Sequence, residues 1–125
     1  MTTDAYGDPL SQPFWEAAER HQLVIQRCAG CGVHQFYPRP FCLQCDGAVE
    51  WVAARGTGRI YSRTTVRIPA GLDLELPYVA AIIELDEGPR ILATLTDPDL
   101  PIGAAVRVGW RARTDAPPAP VFGPA

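Results

Sequence analysis

The sequence contains no lysine, since all eleven of its basic residues are arginine. A Schiff-base lysine and the phosphate-binding lysine of a P-loop are therefore excluded. The two histidines, His21 and His34, lie in no catalytic motif, and no glycine-rich loop follows a predicted strand. The chain shows no Ser-His-Asp arrangement and no other self-sufficient active site. The sequence thus favours binding or assembly over catalysis.

Long hydrophobic runs are absent as well. The longest apolar stretch, from Tyr78 to Leu85, is too short to cross a bilayer. Residues 1–9 carry Asp4 and Asp8 but no basic residue, so we expect neither a signal peptide nor a transit peptide. These features predict no membrane association and a cytoplasmic location, where cysteine thiols remain reduced.

The charge of the chain is unevenly distributed. The 125 residues carry a net charge of −3, but residues 20–67 contain seven arginines against two acidic residues, a local charge of +5. A segment of this charge is suited to bind phosphate groups or an acidic partner. Ordinary solvated surface arginines explain the segment equally well.

Two CxxC motifs are the most specific chemical signal in the sequence. Each motif lets two sulfurs meet one ion while backbone amides point at the thiolates, and four sulfurs form a closed tetrahedral site. Such a site is typical of structural zinc, with iron as the alternative occupant, and it leaves no open position for catalysis. Gly32 and Gly47 follow the two motifs, where a positive φ is expected. The predicted ligands are Cys28, Cys31, Cys42 and Cys45.

The pattern of strands and turns predicts a mainly β fold. Ser11 and Pro13 begin a short helix at about 13–21, and about five short antiparallel strands follow the two cysteine motifs. This strand count favours a five-stranded OB-fold barrel over a sandwich. The proline-rich end should be extended and remain outside the sheet. The predicted organisation is a helical segment at 1–22, a zinc ribbon at 23–52, the OB-fold at 53–114 and an extended tail at 115–125.

Both ends of the chain carry aromatic residues that the predicted barrel does not need. Phe14 and Trp15 supply more apolar surface than so short a helix requires, so they dock on this domain or on a partner. Phe122 lies in the proline-rich tail, and Arg39 lies between two prolines that stiffen the loop. Since aromatic and arginine residues dominate interface energies, these four are the predicted partner contacts.

Seven short motifs follow one another along the chain: Phe14-Trp15, Leu23 to Gly32, Pro38-Arg39-Pro40-x-Cys42, Gly56-Thr57-Gly58, Pro77-Tyr78, Glu84 to Gly88, and Ile102-Gly103. Together they resemble the domain of unknown function 35 family, whose members join a rubredoxin-like zinc ribbon to an OB-fold. The resemblance extends over nearly the whole chain. Leu43 departs from it, since the family often has proline there, but the four ligands are unaffected.

The resemblance implies an accessory role in acyl-CoA metabolism. Members of the family form complexes with thiolase-fold enzymes, and similar domains pair with a thiolase-like aldolase in steroid (cholesterol) side-chain degradation. That aldolase performs retro-aldol cleavage of a steroid acyl-CoA. Other members are fused to a MaoC-like enoyl-CoA hydratase, so this chain is either a free-standing copy or such a domain. The lysine-free composition is compatible with an actinobacterial source, which favours the steroid branch.

We therefore expect a non-catalytic subunit that binds and completes a thiolase-like enzyme in a hetero-oligomer, with two copies of each chain as one arrangement. Arg39, Arg55 and Arg59 are the predicted contacts to the partner or to the phosphates of an acyl-CoA.

Two alternatives belong to other functional classes. A zinc ribbon followed by an OB-fold suits nucleic-acid binding, and Tyr61, Arg63 and Arg67 on one strand have the required chemistry. The isoelectric point of about 5.2 argues against this function, because nucleic-acid-binding domains are usually basic. An enzyme acting alone, such as a CoA-thioester hydrolase, lacks a recognisable nucleophile arrangement.

Overall fold

The computed structural model describes residues 9–69 and 74–125. A short 3-10 turn at Pro9–Ser11 leads into the helix, and eight strands follow in the described residues. The elements are α1 (Gln12–Ala18), β1 (Val24–Cys28), β2 (His34–Gln35), β3 (Val49–Ala53), β4 (Thr57–Val66), β5 (Tyr78–Leu85), β6 (Arg90–Leu95), β7 (Ala105–Arg113) and β8 (Ala116–Pro124). The predicted mainly β fold with one short N-terminal helix is confirmed. No helix in the two described ranges is long and apolar enough to span a membrane.

The first sheet has three strands in the order β2-β1-β3. Strand β1 pairs antiparallel with both neighbours, and its residue Gln26 lies opposite Gln35 on β2 and Trp51 on β3. Cys28 is the last residue of β1 and lies opposite Val49. The segment at 49–53 therefore pairs within the ribbon sheet and not within the barrel, although Trp51 and Val52 pack against the barrel core.

The second sheet is a closed barrel in the order β4-β5-β6-β8-β7, as expected of an OB-fold. Strands β4, β5 and β6 form an antiparallel meander. Gly58 is needed at the contact between β4 and β5, because a Cβ atom there would overlap the backbone carbonyl oxygen of Glu84.

The expectation that the proline-rich end stays outside the sheet is wrong. Strand β8 pairs antiparallel with β7 along most of its length and parallel with β6 at its end, which closes the barrel. Proline lacks only the backbone donor and keeps its carbonyl acceptor. Val121 and Phe122 retain both groups, and they are the two residues of β8 that pair with β6.

The core lies inside the barrel and extends beneath the helix. Phe122, Ile83 and Val106 are fully buried at its centre. The helix packs its apolar face against β8 and β1, with Phe14 and Trp15 buried in the same core. A seven-residue helix is not stable in isolation, so this packing holds it in place.

Candidate functional site

The four cysteines converge on one point, where the turn after β1 meets the turn before β3. Their Sγ atoms all lie within 4.8 Å of one another, with 3.4 Å between Cys28 and Cys45 and 3.7 Å between Cys31 and Cys42. A tetrahedral ion with metal–sulfur distances of about 2.3 Å places its sulfurs about 3.8 Å apart. The separations match this geometry and far exceed a disulfide bond of about 2.05 Å. The cluster therefore has the size and donor set of a four-thiolate metal site.

Backbone amides support the thiolate form of the first motif. The amides of Gly30 and Cys31 each donate to Cys28 Sγ at 3.3 Å. The bond from Cys31 is the main reason that the pKa of Cys28 falls to about 6. The pKa of Cys45 rises to about 12, chiefly because its thiol hydrogen-bonds to Cys28. These hydrogen bonds therefore favour the thiolate form of Cys28, the form in which a cysteine binds metal.

The two turns achieve the same ligand geometry with different residues. Gly32 has a φ of +78°, as predicted. In the second motif the positive φ occurs at Asp46, at 61°, and not at Gly47. Gly47 is needed for space instead, because a Cβ atom there would lie 3.1 Å from Cys28 Sγ and 3.2 Å from Cys45 Sγ.

A buried glutamine holds the loop that joins the ribbon strand β2 to the second motif. Gln26 is 3% exposed, and its side-chain amide bonds twice to the backbone of Arg39. The Arg39 N–H donates to Gln26 Oε1 at 2.8 Å, and Gln26 Nε2 donates to the Arg39 carbonyl at 2.9 Å. Gln35 Nε2 also donates to Gln26 Oε1, and Gln35 Oε1 accepts from the Leu43 amide. The backbone around Arg39 is therefore fixed while its side chain is exposed.

The same loop exposes three large apolar side chains that the sequence reasoning did not single out. We call residues 37–43 the knuckle loop. Tyr37, Phe41 and Leu43 in this loop are 42%, 45% and 64% exposed, and they account for three of the nine large exposed hydrophobic residues in the described parts of the chain. The sequence does contain a signal for their exposure, because these residues flank Pro38 and Pro40 in a short loop between metal ligands. Such a loop encloses too little core to bury three large side chains.

The aromatic residues at the chain ends have no spare apolar surface. Phe14 and Trp15 are 4% and 7% exposed, and Phe122 is fully buried. Phe14 packs against Trp15 and Phe36 with ring centroids 4.8 Å and 5.3 Å apart. The assumption that these side chains are left over for a partner is therefore wrong, because the helix and β8 use them in the chain's own core.

The remaining candidate arginines lie at the start of the barrel. Arg55 precedes β4 and Arg59 lies within it, and both are exposed. Arg59 donates to the carbonyl of Gly103, and the backbone amide of Arg55 donates to Glu87.

The residues proposed for nucleic-acid stacking are partly engaged elsewhere. The guanidinium of Arg90 lies 3.7 Å from the ring centroid of Tyr61 and covers one face of the ring. Arg63 donates to the carbonyl of Leu100. These contacts weaken the nucleic-acid alternative, because a base needs an open aromatic face.

Two family models match successive parts of the chain. Residues 15–50 match the rubredoxin-like zinc ribbon domain of ChsH2, and residues 51–111 match the C-terminal OB-fold domain of ChsH2. The boundary between the two matches lies within β3.

Relatives cover the chain over most of its length. A protein named "Probable enoyl-CoA hydratase alpha subunit" from Thermomonospora curvata is 42% identical over 118 residues, which is 90% of this chain and 37% of that protein. The chain thus spans little more than a third of that relative's length. A "DUF35 domain-containing scaffold protein" from Methanocaldococcus jannaschii is 35% identical over 99 residues, which is 74% of this chain and 70% of that protein.

A solved structure has the same architecture. The "Ltp2-ChsH2(DUF35) aldolase" includes a chain that superposes with a TM-score of 0.87 at 34% identity, covering 95% of this chain and 97% of that one.

Proposed function

The chain belongs to the DUF35 family of ChsH2-type proteins, and from that membership we propose that it binds and completes a thiolase-like enzyme of acyl-CoA metabolism as a non-catalytic subunit. The proposed reaction is the retro-aldol step of steroid side-chain degradation. Support comes from the similarity to a chain of the Ltp2-ChsH2(DUF35) aldolase over almost its full length. The thiolase-like partner would supply the reacting groups.

The knuckle loop is the observation that carries this proposal. It combines exposed Tyr37, Phe41 and Leu43 with the exposed Arg39 on a backbone held by Gln26. Tyr, Phe and Arg are enriched in the cores of interfaces, and a pre-ordered loop loses little entropy on binding. We propose that this loop is the main partner contact, with Arg55 and Arg59 as further contacts to the partner or to CoA phosphates.

We propose that the four cysteines hold structural zinc. Four thiolates satisfy the tetrahedral preference of zinc and leave no position for substrate, and iron is the less favoured occupant of the same donors. The metal would fix both ends of the segment that contains the knuckle loop, since Cys31 precedes it and Cys42 lies within it. Metal analysis of native protein tests this proposal, which expects one zinc per chain.

Capture and reconstitution test the accessory role. The tagged chain is expressed in its own source organism, and the stoichiometric partner is identified by mass spectrometry and purified. We expect a thiolase-like protein that cleaves a steroid β-hydroxy acyl-CoA only when this chain is added. Cleavage by this chain alone would contradict the proposal, and so would full activity of the partner without it.

A matched pair of variants tests the role of the knuckle loop. Leu43 and Ile102 are 64% and 63% exposed, but Ile102 lies in the loop before β7, outside the knuckle loop. Leu43→Ser should weaken binding to the purified partner about tenfold or more, as truncation of an interface anchor does. Ile102→Ser should bind with the affinity of the unmodified chain. Equal affinities for both variants would place the interface elsewhere.

A further inference from the structure

Arg39 is the one cationic residue of the knuckle loop, and the loop fixes the position from which its side chain extends. Gln26 bonds to both backbone groups of Arg39. The preceding Pro38 is fully buried, and the following Pro40 restricts the backbone on the other side. The Arg39 side chain itself is exposed. The loop therefore presents one positive charge to solvent from a defined place on the surface.

No acidic side chain in residues 9–69 and 74–125 forms an ion pair with Arg39. Glu50 on β3 is paired with Arg27 at 3.0 Å. The sulfurs of the metal site accept hydrogen bonds from backbone amides, including those of Cys31 and Gln44. Within these residues, the charge of Arg39 thus has no counter-charge, and an anion on another molecule can supply it.

The apolar residues around Arg39 determine what kind of anion is needed. Tyr37 and Phe41 lie two residues away on either side, and Leu43 follows; all three are exposed. A partner that covers these side chains also removes water from the guanidinium between them. A charge that loses its water needs a hydrogen-bonded counter-charge, and a carboxylate binds a guanidinium through two parallel hydrogen bonds. An interface at this loop therefore requires an anionic acceptor.

The number of charges favours a carboxylate over the phosphates of CoA. A phosphate monoester carries about two negative charges, and one arginine would leave part of that charge unpaired against apolar surface. A carboxylate carries one charge, which Arg39 alone neutralises. We propose that Arg39 binds an Asp or Glu side chain of the thiolase-like partner, set in an apolar surface that covers Tyr37, Phe41 and Leu43. This inference rests on the proposed function and specifies the partner surface that fits the knuckle loop.

Affinity for the captured and purified partner tests the role of the charge. Arg39→Gln should weaken binding about tenfold or more, as the loss of a charge-assisted hydrogen bond does. Arg107→Gln, at an exposed position on β7, should bind like the unmodified chain. Both variants should retain their metal and their unfolding temperature, because Gln26 bonds only to the backbone of Arg39. Equal affinities of Arg39→Gln and the unmodified chain would overturn the inference.

The same titrations distinguish the two sources of negative charge. They are performed with the partner free of CoA and with the partner saturated with CoA. We expect Arg39→Gln to lose affinity by the same factor in both conditions. A loss that occurs only with CoA bound would assign Arg39 to a phosphate and overturn the proposed contact with a carboxylate.

The lack of lysine in the chain allows the carboxylate to be identified. Arg39→Lys introduces the single lysine of the chain, and a carbodiimide joins its amine to a contacting carboxylate as an amide. At concentrations that form the complex, mass spectrometry should find position 39 linked to an Asp or Glu of the partner, while Arg107→Lys should give no such link at position 107. A complex of Arg39→Lys without a link at position 39 would overturn this inference alone. Failure of the unmodified chain to form any complex would overturn the proposed function together with it.

Discussion

Replacing Gln26 by leucine is the sharpest test of how the ribbon presents the knuckle loop. Leucine has one side-chain heavy atom fewer than glutamine but is bulky enough to occupy the buried position, so the main effect of the change is the loss of hydrogen bonds. Gln26 is 3% exposed, and both polar groups of its side chain bond to the backbone of Arg39. The substitution therefore leaves the N–H and the carbonyl of Arg39 without these partners.

The cost follows from where those two backbone groups lie. An unsatisfied buried polar group costs about 1–3 kcal/mol, but Arg39 is exposed enough for water to replace part of what is lost. We expect the free energy of unfolding to fall by about 1–3 kcal/mol in total. Gln35 loses its bond to Gln26 but keeps the one to the carbonyl of Phe41, so the metal site should remain loaded.

Urea unfolding followed by tryptophan fluorescence measures this cost, since Trp51 lies directly opposite Gln26 in the sheet. Metal content and partner affinity are measured on the same samples, and partner affinity should fall while metal content stays constant. Gln22→Leu, at an exposed position just after the helix, serves as the control. If the unfolding free energy of Gln26→Leu lies within about 0.5 kcal/mol of that of the unmodified chain, which is the usual effect of a surface substitution, the two hydrogen bonds to Arg39 do not stabilise the ribbon.

Three further predictions concern the metal site and the barrel. Cys42→Ser should abolish stoichiometric metal binding and unfold the ribbon, as metal analysis and circular dichroism will show, because the ion supplies folding energy to a module without a large core. Gly58→Ala should lower the free energy of unfolding in urea by about 1–3 kcal/mol, because the new methyl group would overlap the Glu84 carbonyl. The control Gly109→Ala should lower it less, because the nearest atom to the new methyl group would be 3.6 Å away. Truncation after Thr114 removes β8 and should unfold the barrel, so a truncated chain that retains the full β circular dichroism spectrum would contradict the closed barrel.

The metal site could be predicted because residues close together in the sequence determine its geometry. Two motifs of four residues each fix which sulfurs meet, and short turns at Gly32 and Asp46 decide the geometry. The assignment of the second positive φ to Gly47 failed for a physical reason. Glycine serves either an unusual φ or a close approach, and the sequence does not distinguish the two uses.

The role of the proline-rich end could not be predicted because its partners are distant in sequence. Proline content indicates an extended chain, and the end is indeed extended. Whether such a segment joins a sheet depends on the free edges of strands elsewhere, here β7 and the last residues of β6. The burial of Trp15 depends on the same closure, because β8 packs against the helix and Arg113 covers its ring.

The correction at the chain ends changes where a partner is expected to bind. Since Phe14, Trp15 and Phe122 complete the core, the exposed aromatic residues in the described parts of the chain are Tyr61, which Arg90 covers on one face, and Tyr37 and Phe41 of the knuckle loop. That loop belongs to the ribbon, whose sheet has only three strands and whose loop conformation depends on Gln26 and on Cys42. In the proposed complex, a metal ion at the four cysteines would do more than stabilise a small module. It would hold Tyr37, Arg39 and Phe41 in one arrangement before the proposed partner binds, so the entropy of ordering the loop would be lost during folding and not during association.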